Sequence, residues 1–502
     1  MSGLYKLTLS EAREGLVNKK FSSLELTQSC LERIKVTEPK INACTQVLED
    51  YAVDTAKKLD AAGPDKDMPL WGIPLMLKDL ICLKGFKTTC ASKFLENFVP
   101  FYDAEVAARF KNAGAVIVAK NNMDEFAMGS TTENSAFTRT ANPWDLERVP
   151  GGSSGGSAAS VAACQAFGSL GSDTGGSIRQ PAGFCGCAGI KPTYGRVSRY
   201  GVVAFGSSFD QVGPLGRTVE DCARMFEVIA GPDPKDSTSA RLDLYGENLP
   251  EQNFVAVAEA SKAKDVNDIV KGLKIGVPQE FWDSGLSGEV EHSCKDMLKK
   301  LEDAGATLVP VSLPNQKYAV AVYYIMASAE ASTNLARFDG IRYGRRAEGA
   351  EDLIDLYTKS RTQGFGPEVQ RRIMLGTFVL SSGYYDAYYR KAAQIRRLLR
   401  NDFDAALNEC DMLIAPTATR TAWNFGFAES DPLSAYKMDL LTVTLNLVGL
   451  PGISVPVGLG SDSGMPVGIQ LMGKAFDEAA LIKAATAIEK LAPKLGTPTA
   501  LI

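Results

Sequence analysis

A chain of 502 residues with 45% hydrophobic and 23% charged residues has the make-up of a globular protein with a large core. A formal net charge of −5 leaves no basic footprint for nucleic acid, and ten cysteines without a Cys-x-x-Cys pair argue against a disulfide scaffold or a zinc site. No stretch reads as a signal peptide or is apolar enough to span a bilayer, so a reduced, cytoplasmic protein without bound metal is expected.

The region up to about residue 65 is predicted to be helical. Thr8-x-x-Glu11 and Ser22-x-x-Glu25 are capping boxes, in which side chains satisfy the free amides of a helix start. After the second box, Leu24, Leu26, Cys30, Leu31 and Ile34 recur at helical spacing. From Trp71 onward strand-like and helix-like segments alternate. The apolar run 72–77 ends in Lys78-Asp79, 104–113 has helical composition, and the β-branched run 115–120 reads as a buried strand. An Ala-rich helix over 157–166 and a short strand over 169–172 follow. Further strands are predicted at 274–278, 306–311 and 411–416, with helices at 290–304 and 477–491. This alternation predicts an α/β fold, one mixed sheet covered by helices on both faces, in a single domain over 1–502. The Asp-, Ser-, Pro- and Lys-rich stretch 231–271 reads as a surface excursion from it.

Two glycine-serine segments, Gly-Gly-Ser-Ser-Gly-Gly-Ser at 151–157 and Gly-Ser-Asp-Thr-Gly-Gly-Ser at 171–177, lie close together in a chain with one histidine. Serine hydrolysis normally needs an imidazole base. His292 lies in a charged stretch with no catalytic context, so a base for these serines would have to be something else. A lysine serves if burial lowers its pKa from about 10.4, and Lys78, at the end of an apolar run, is the candidate. A second serine could bridge nucleophile and lysine, and the amides of Thr174, Gly175, Gly176 and Ser177 could converge on an oxyanion.

Other readings compete. Gly152 to Gly156 fits Gly-x-Ser-x-Gly but lacks the preceding strand and the following histidine of a nucleophile elbow. Glycine clusters also mark plain turns. No Gly-x-x-x-x-Gly-Lys-Ser/Thr is present to cradle phosphate, and Ser261-x-x-Lys264 sits in a polar stretch without catalytic context. Most lysines that follow a strand are simply solvated.

The stretch 151–177, continued by Ile178-Arg179-Gln180-Pro181-Ala182, resembles the defining motif of the amidase signature family. Blocks at 129–135, 191–199, 207–214, 381–389 and 446–456 extend the resemblance over the whole chain, to the glutaminase subunits of tRNA-dependent amidotransferases within that family. The resemblance implies a Ser-cisSer-Lys triad, with Ser177 the acylated nucleophile, Ser153 the bridging serine after a cis peptide bond, and Lys78 the base. It implies hydrolysis of glutamine and delivery of ammonia to a partner that converts Glu-tRNA(Gln) to Gln-tRNA(Gln). ATP and magnesium would then belong to that partner, the B subunit, with tRNA contacted mainly through it, and a small C subunit would wrap this chain.

Free glutamine carries a carboxylate and an ammonium, which call for an arginine fork, an anion and an orienting hydroxyl. The resemblance places these at Arg372, Asp439 and Tyr323, with Gly129 and Ser130 also at the substrate; Arg371 and Tyr324 are the neighbouring alternatives. A stand-alone amidase with the same triad and a non-catalytic scaffold are the rival functions.

Overall fold

In the computed structural model, residues 3–240, 253–427 and 438–501 are described. Their strands are β1 (Cys44–Val47), β2 (Pro74–Lys78), β3 (Val116–Asn121), β4 (Gly168–Asp173), β5 (Ala188–Lys191), β6 (Gln211–Gly216), β7 (Lys274–Pro278), β8 (Thr307–Val311), β9 (Met412–Pro416), β10 (Gly452–Leu459) and β11 (Pro466–Met472). They form one sheet in the order β1-β3-β2-β4-β6-β5-β10-β11-β9-β7-β8. The pairing is mixed: β3-β2-β4 and β9-β7-β8 run parallel, and the strands between them pair antiparallel. Helices flank both faces, as expected for this α/β class.

The inner strands are sandwiched, which is why their sequences are continuous apolar or small runs and not alternating ones. Every residue of β2, β3 and β4 is buried. β2 and β4 are parallel neighbours, Leu77 opposite Leu170, so Lys78 and the loop after Asp173 emerge at the same rim. Two helices start there, Gly155–Ala162 after the first glycine-serine segment and Arg179–Cys185 after the second. The carboxyl ends of parallel strands are where α/β sheets build their sites.

One expected boundary differs from the structure. The helix predicted at 157–166 spans Gly155–Ala162; it takes Ser154 as N-cap and stops short because Cys164 adopts a left-handed conformation, φ 58°. Of the surface excursion expected at 231–271, residues 241–252 lie outside the described residues, 231–240 hold no helix or strand, and the remainder carries helices. Helices Phe254–Lys262 and Val266–Val270 occupy it, with Phe254, Ala258, Ile269 and Val270 buried and the Phe254 ring 4.5 Å from Phe226. Among the described residues no helix is long and apolar enough to cross a membrane, and no group of three or more His, Cys, Asp or Glu side chains could hold a metal ion.

Candidate active site

Lys78 is fully buried, and its Nζ lies 2.7 Å from Ser153 Oγ, 2.9 Å from Ser154 Oγ and 2.9 Å from Ser172 Oγ. Burial is the dominant influence on this amine and lowers its pKa to about 7, against the opposing pull of the Asp124, Asp173 and Asp210 carboxylates. Near neutrality the lysine therefore has a large uncharged fraction with a lone pair. His292 is exposed on the helix Gly288–Asp303.

The Gly152–Ser153 peptide is cis. The Ser154 N–H donates to the Ser177 carbonyl at 3.2 Å, tying the two glycine-serine loops together. Ser177 is 8% exposed, the partly open member of the group, and its hydroxyl makes no hydrogen bond within the described residues.

The loop carrying Ser177 is organised by Asp173. Its Oδ1 accepts the Gly176 N–H at 2.8 Å and its Oδ2 accepts the Ile178 N–H at 3.1 Å. Arg179 donates to both oxygens, and Asn446 Nδ2 to Oδ1 at 2.8 Å. Burial alone would raise this carboxyl; the guanidinium and these donors hold it at about 2 instead. The Gly176 amide, one of the four expected oxyanion donors, donates to Asp173 in this structure. The amides of Thr174, Gly175 and Ser177 carry no hydrogen bond within the described residues and remain available to an oxyanion.

The same loop is clamped from above. Thr442 Oγ1 donates to the Gly175 carbonyl at 2.7 Å. A Cβ on Gly176, whose φ is 130°, would stand 2.2 Å from Thr442 Oγ1. Gly176→Ala is expected to lower kcat/KM for any reaction at Ser177 roughly ten- to a hundredfold, because forcing the loop aside costs about 1–3 kcal/mol. A wild-type kcat/KM would show that this loop does not carry the oxyanion donors.

A narrow cavity opens onto Ser177. Gly175 and Gly176 line one side, and Tyr323, Arg372, Asp439 and Ser130 the others. Gly129 also lines it, packed so closely on Asp124 that a Cβ there would meet the carboxyl carbon at 2.4 Å. Arg372 is buried, its guanidinium 4.9 Å from the Tyr324 ring centroid, with Nε donating to Glu368 at 2.7 Å. Its two Nη groups make no hydrogen bond within the described residues. Asp439 accepts from Ser130 Oγ at 2.8 Å and from Tyr324 Oη at 2.7 Å; burial raises its pKa against those bonds and the charge of Arg372.

The neighbouring alternatives separate cleanly. Arg371 is exposed and pairs outward with Glu368, and the Tyr324 hydroxyl is committed to Asp439. The structure thus brings together Lys78, Ser153 and Ser177 at one rim, and Tyr323, Arg372, Asp439, Gly129 and Ser130 around one cavity. Sequence reasoning missed Ser154, Ser172 and Asp173, although all three lie in the glycine-serine segments it singled out.

The chain matches the amidase family over residues 25–482. It is similar to the A subunit of glutamyl-tRNA(Gln) amidotransferase from Oleidesulfovibrio alaskensis, 56% identical over 490 residues that cover 98% of each chain. The same protein of Nitratidesulfovibrio vulgaris is 56% identical over 501 residues, covering 100% of both. The crystal structure of the A subunit of glutamyl-tRNA(Gln) amidotransferase from Thermotoga maritima is similar with a TM-score of 0.78 and 41% identity, covering 98% of this chain and 96% of that one.

Proposed function

The chain belongs to the amidase family, and on that premise we propose that it is the glutamine-hydrolysing subunit of a tRNA-dependent amidotransferase. The observation that carries this reading is a buried lysine, held by serine hydroxyls at a rim shared with Ser177, beside a cavity that pairs Arg372 with Asp439.

Ser177 Oγ attacks the side-chain amide carbon of glutamine. Its proton passes through Ser153 to the Nζ lone pair of Lys78, and the oxyanion is received by the amides of Thr174, Gly175 and Ser177. Collapse breaks the C–N bond. The leaving nitrogen takes the proton back from the Lys78 ammonium through Ser153 and departs as ammonia. Water then cleaves the Ser177 ester by the same relay and releases glutamate.

The names of the relatives support a partner that receives the ammonia and amidates Glu-tRNA(Gln). In this reading the B subunit holds the ATP, magnesium and most of the tRNA contact, and the C subunit wraps this chain. The acidic composition fits a protein that leaves the RNA to its neighbour. A stand-alone amidase would use the same triad, but the paired Arg372 and Asp439 match the two charges of a free amino acid. Co-purification with candidate B and C subunits, followed by a glutaminase assay with and without charged tRNA, tests the assignment. Failure to bind either partner favours the stand-alone enzyme.

The base makes the pH dependence specific. Burial disfavours the ammonium, so the competent neutral form grows as pH rises through about 7. Acylation should therefore climb about tenfold per pH unit on the acid side and level off above the midpoint. A rate of Ser177 acylation that is flat between pH 6 and pH 8.5, on the order of the range a lysine base must span, counts against Lys78 as the base.

A further inference from the structure

Gln180 stands on the first turn of the helix Arg179–Cys185, is 2% exposed and borders the cavity beside Ser177. Its backbone N–H donates to the Gly176 carbonyl at 2.8 Å, which ties it to the loop that carries the nucleophile. Its side-chain amide reaches two other loops. Oε1 accepts the Gly152 N–H at 2.9 Å, and Nε2 donates to the Ser130 carbonyl at 3.1 Å. A donor at one end and an acceptor at the other permit one orientation of this amide. Exchanging Oε1 and Nε2 would set N–H against N–H and oxygen against oxygen.

Both partners are backbone groups next to side chains of the site. Gly152 precedes Ser153, whose Oγ lies 2.7 Å from Lys78 Nζ. On the far side of Ser153, its carbonyl accepts the Asp124 N–H at a longer 3.3 Å. Ser130 donates its hydroxyl to Asp439 at 2.8 Å. Among the described residues neither the Gly152 N–H nor the Ser130 carbonyl has another hydrogen-bond partner. The two loops also touch where Gln180 bridges them: a Cβ on Gly152 would stand 2.8 Å from the Ser130 carbonyl carbon. Unpairing either buried group leaves its peptide without the bond that orients it.

We propose that Gln180 is a positioning residue that holds the proton relay and the substrate pocket in one register. Its carbonyl end sets the Gly152 peptide and so the aim of Ser153 at Lys78; its N–H end sets Ser130 and so the place of Asp439. This role rests on the proposed function, with Ser153 as the relay and Asp439 as the anion that meets the substrate ammonium. It adds a residue that neither the relay nor the charge pair requires by itself.

Two reactions read the two ends of the amide. Labelling of Ser177 by an uncharged fluorophosphonate uses the relay and not the charge pair, whereas the KM for glutamine reports the pocket. Gln180→Met, similar in length but without the amide, should slow labelling about tenfold or more, on the scale of a misplaced reacting group. It should also raise the KM for glutamine about three- to tenfold, the net effect of one hydrogen bond. Each loss should disappear where its target is gone, the first in a Ser153→Ala background and the second in Asp439→Asn, because a residue that acts through another then has nothing to position. Damage to packing alone would persist in both backgrounds. Gln180→Asn, whose amide is one methylene too short to reach both partners, should lose at least one readout and carries the test if the methionine variant does not fold. Wild-type labelling and KM in either variant overturn the proposal. So do losses that persist undiminished in Ser153→Ala and Asp439→Asn, or a loss of one readout in Gln180→Met with the other at wild type. If Asp439→Asn by itself leaves KM unchanged, the glutamine reading fails on its own, and labelling in the Ser153→Ala background still decides whether Gln180 holds the relay.

Discussion

Lys78→Ala is expected to lower acylation of Ser177 by at least about a hundredfold, and Ser177→Ala to remove glutamine hydrolysis. Removing a positioned general base costs about 10²–10⁴ in rate, and among the described residues no second base touches Ser153. Ser153→Ala should approach the Lys78 variant in severity, because it cuts the relay between nucleophile and amine. The two losses should not add, since both remove one proton path. Truncating Lys78 also removes a buried side chain from a packed strand, so thermal unfolding must accompany the kinetics. Lys78→Met, of similar length without the amine, separates lost chemistry from a lost fold. His292→Ala should retain wild-type turnover because that side chain is exposed on the helix Gly288–Asp303 and lines none of the walls around Ser177. Near-wild-type acylation in a folded Lys78→Met would remove the lysine from the mechanism.

What could be read from the chain follows from how local each feature is. Lys78 was visible because β2 is covered on both faces, which makes its sequence one unbroken apolar run with a lysine at its end. The glycine-serine loops were visible as composition. Which amides face the substrate was not, because that depends on the φ and ψ of each residue, and Asp173 turns the Gly176 N–H to itself. β6 and β10 were hidden for another reason. They contain Gly213-Pro214 and Pro456 with Gly458, residues that usually punctuate strands. In β10 the register shifts between Pro456 and Gly458, which accommodates a residue without an N–H. Thr442 and Asn446 reach the catalytic loop from more than 260 positions away in the chain, Thr442 to Gly175 and Asn446 to Asp173, and no local pattern announces such contacts.

Recognition of glutamine is the second place where a large effect is expected. The Arg372 guanidinium is held over Tyr324 and by Glu368 through Nε, so the fork formed by its two Nη groups is left to grip a carboxylate in two parallel hydrogen bonds. In the proposed function, Asp439, fixed by Ser130 and Tyr324, is the anion that meets the substrate ammonium. Losing one partner of such a buried charged contact costs about 2–5 kcal/mol, at least about thirtyfold in affinity. Arg372→Ala and Asp439→Asn should therefore each raise the KM for glutamine by thirtyfold or more, on that scale. Both should leave fluorophosphonate labelling of Ser177 largely intact, since that probe carries neither charge. Arg372→Lys keeps the charge but not the fork or the stacking on Tyr324, and should recover only part of the loss. Asp439→Asn keeps the side-chain shape and one acceptor oxygen for one of the two hydroxyls, while the other must turn to accept from the amide N–H; the wall stays filled and the defect reports chiefly the missing charge. If KM is unchanged in both variants, the amino-acid end of the substrate is read elsewhere. The wider vestibule lined by Glu125, Glu133 and Arg371 would be the next place to look.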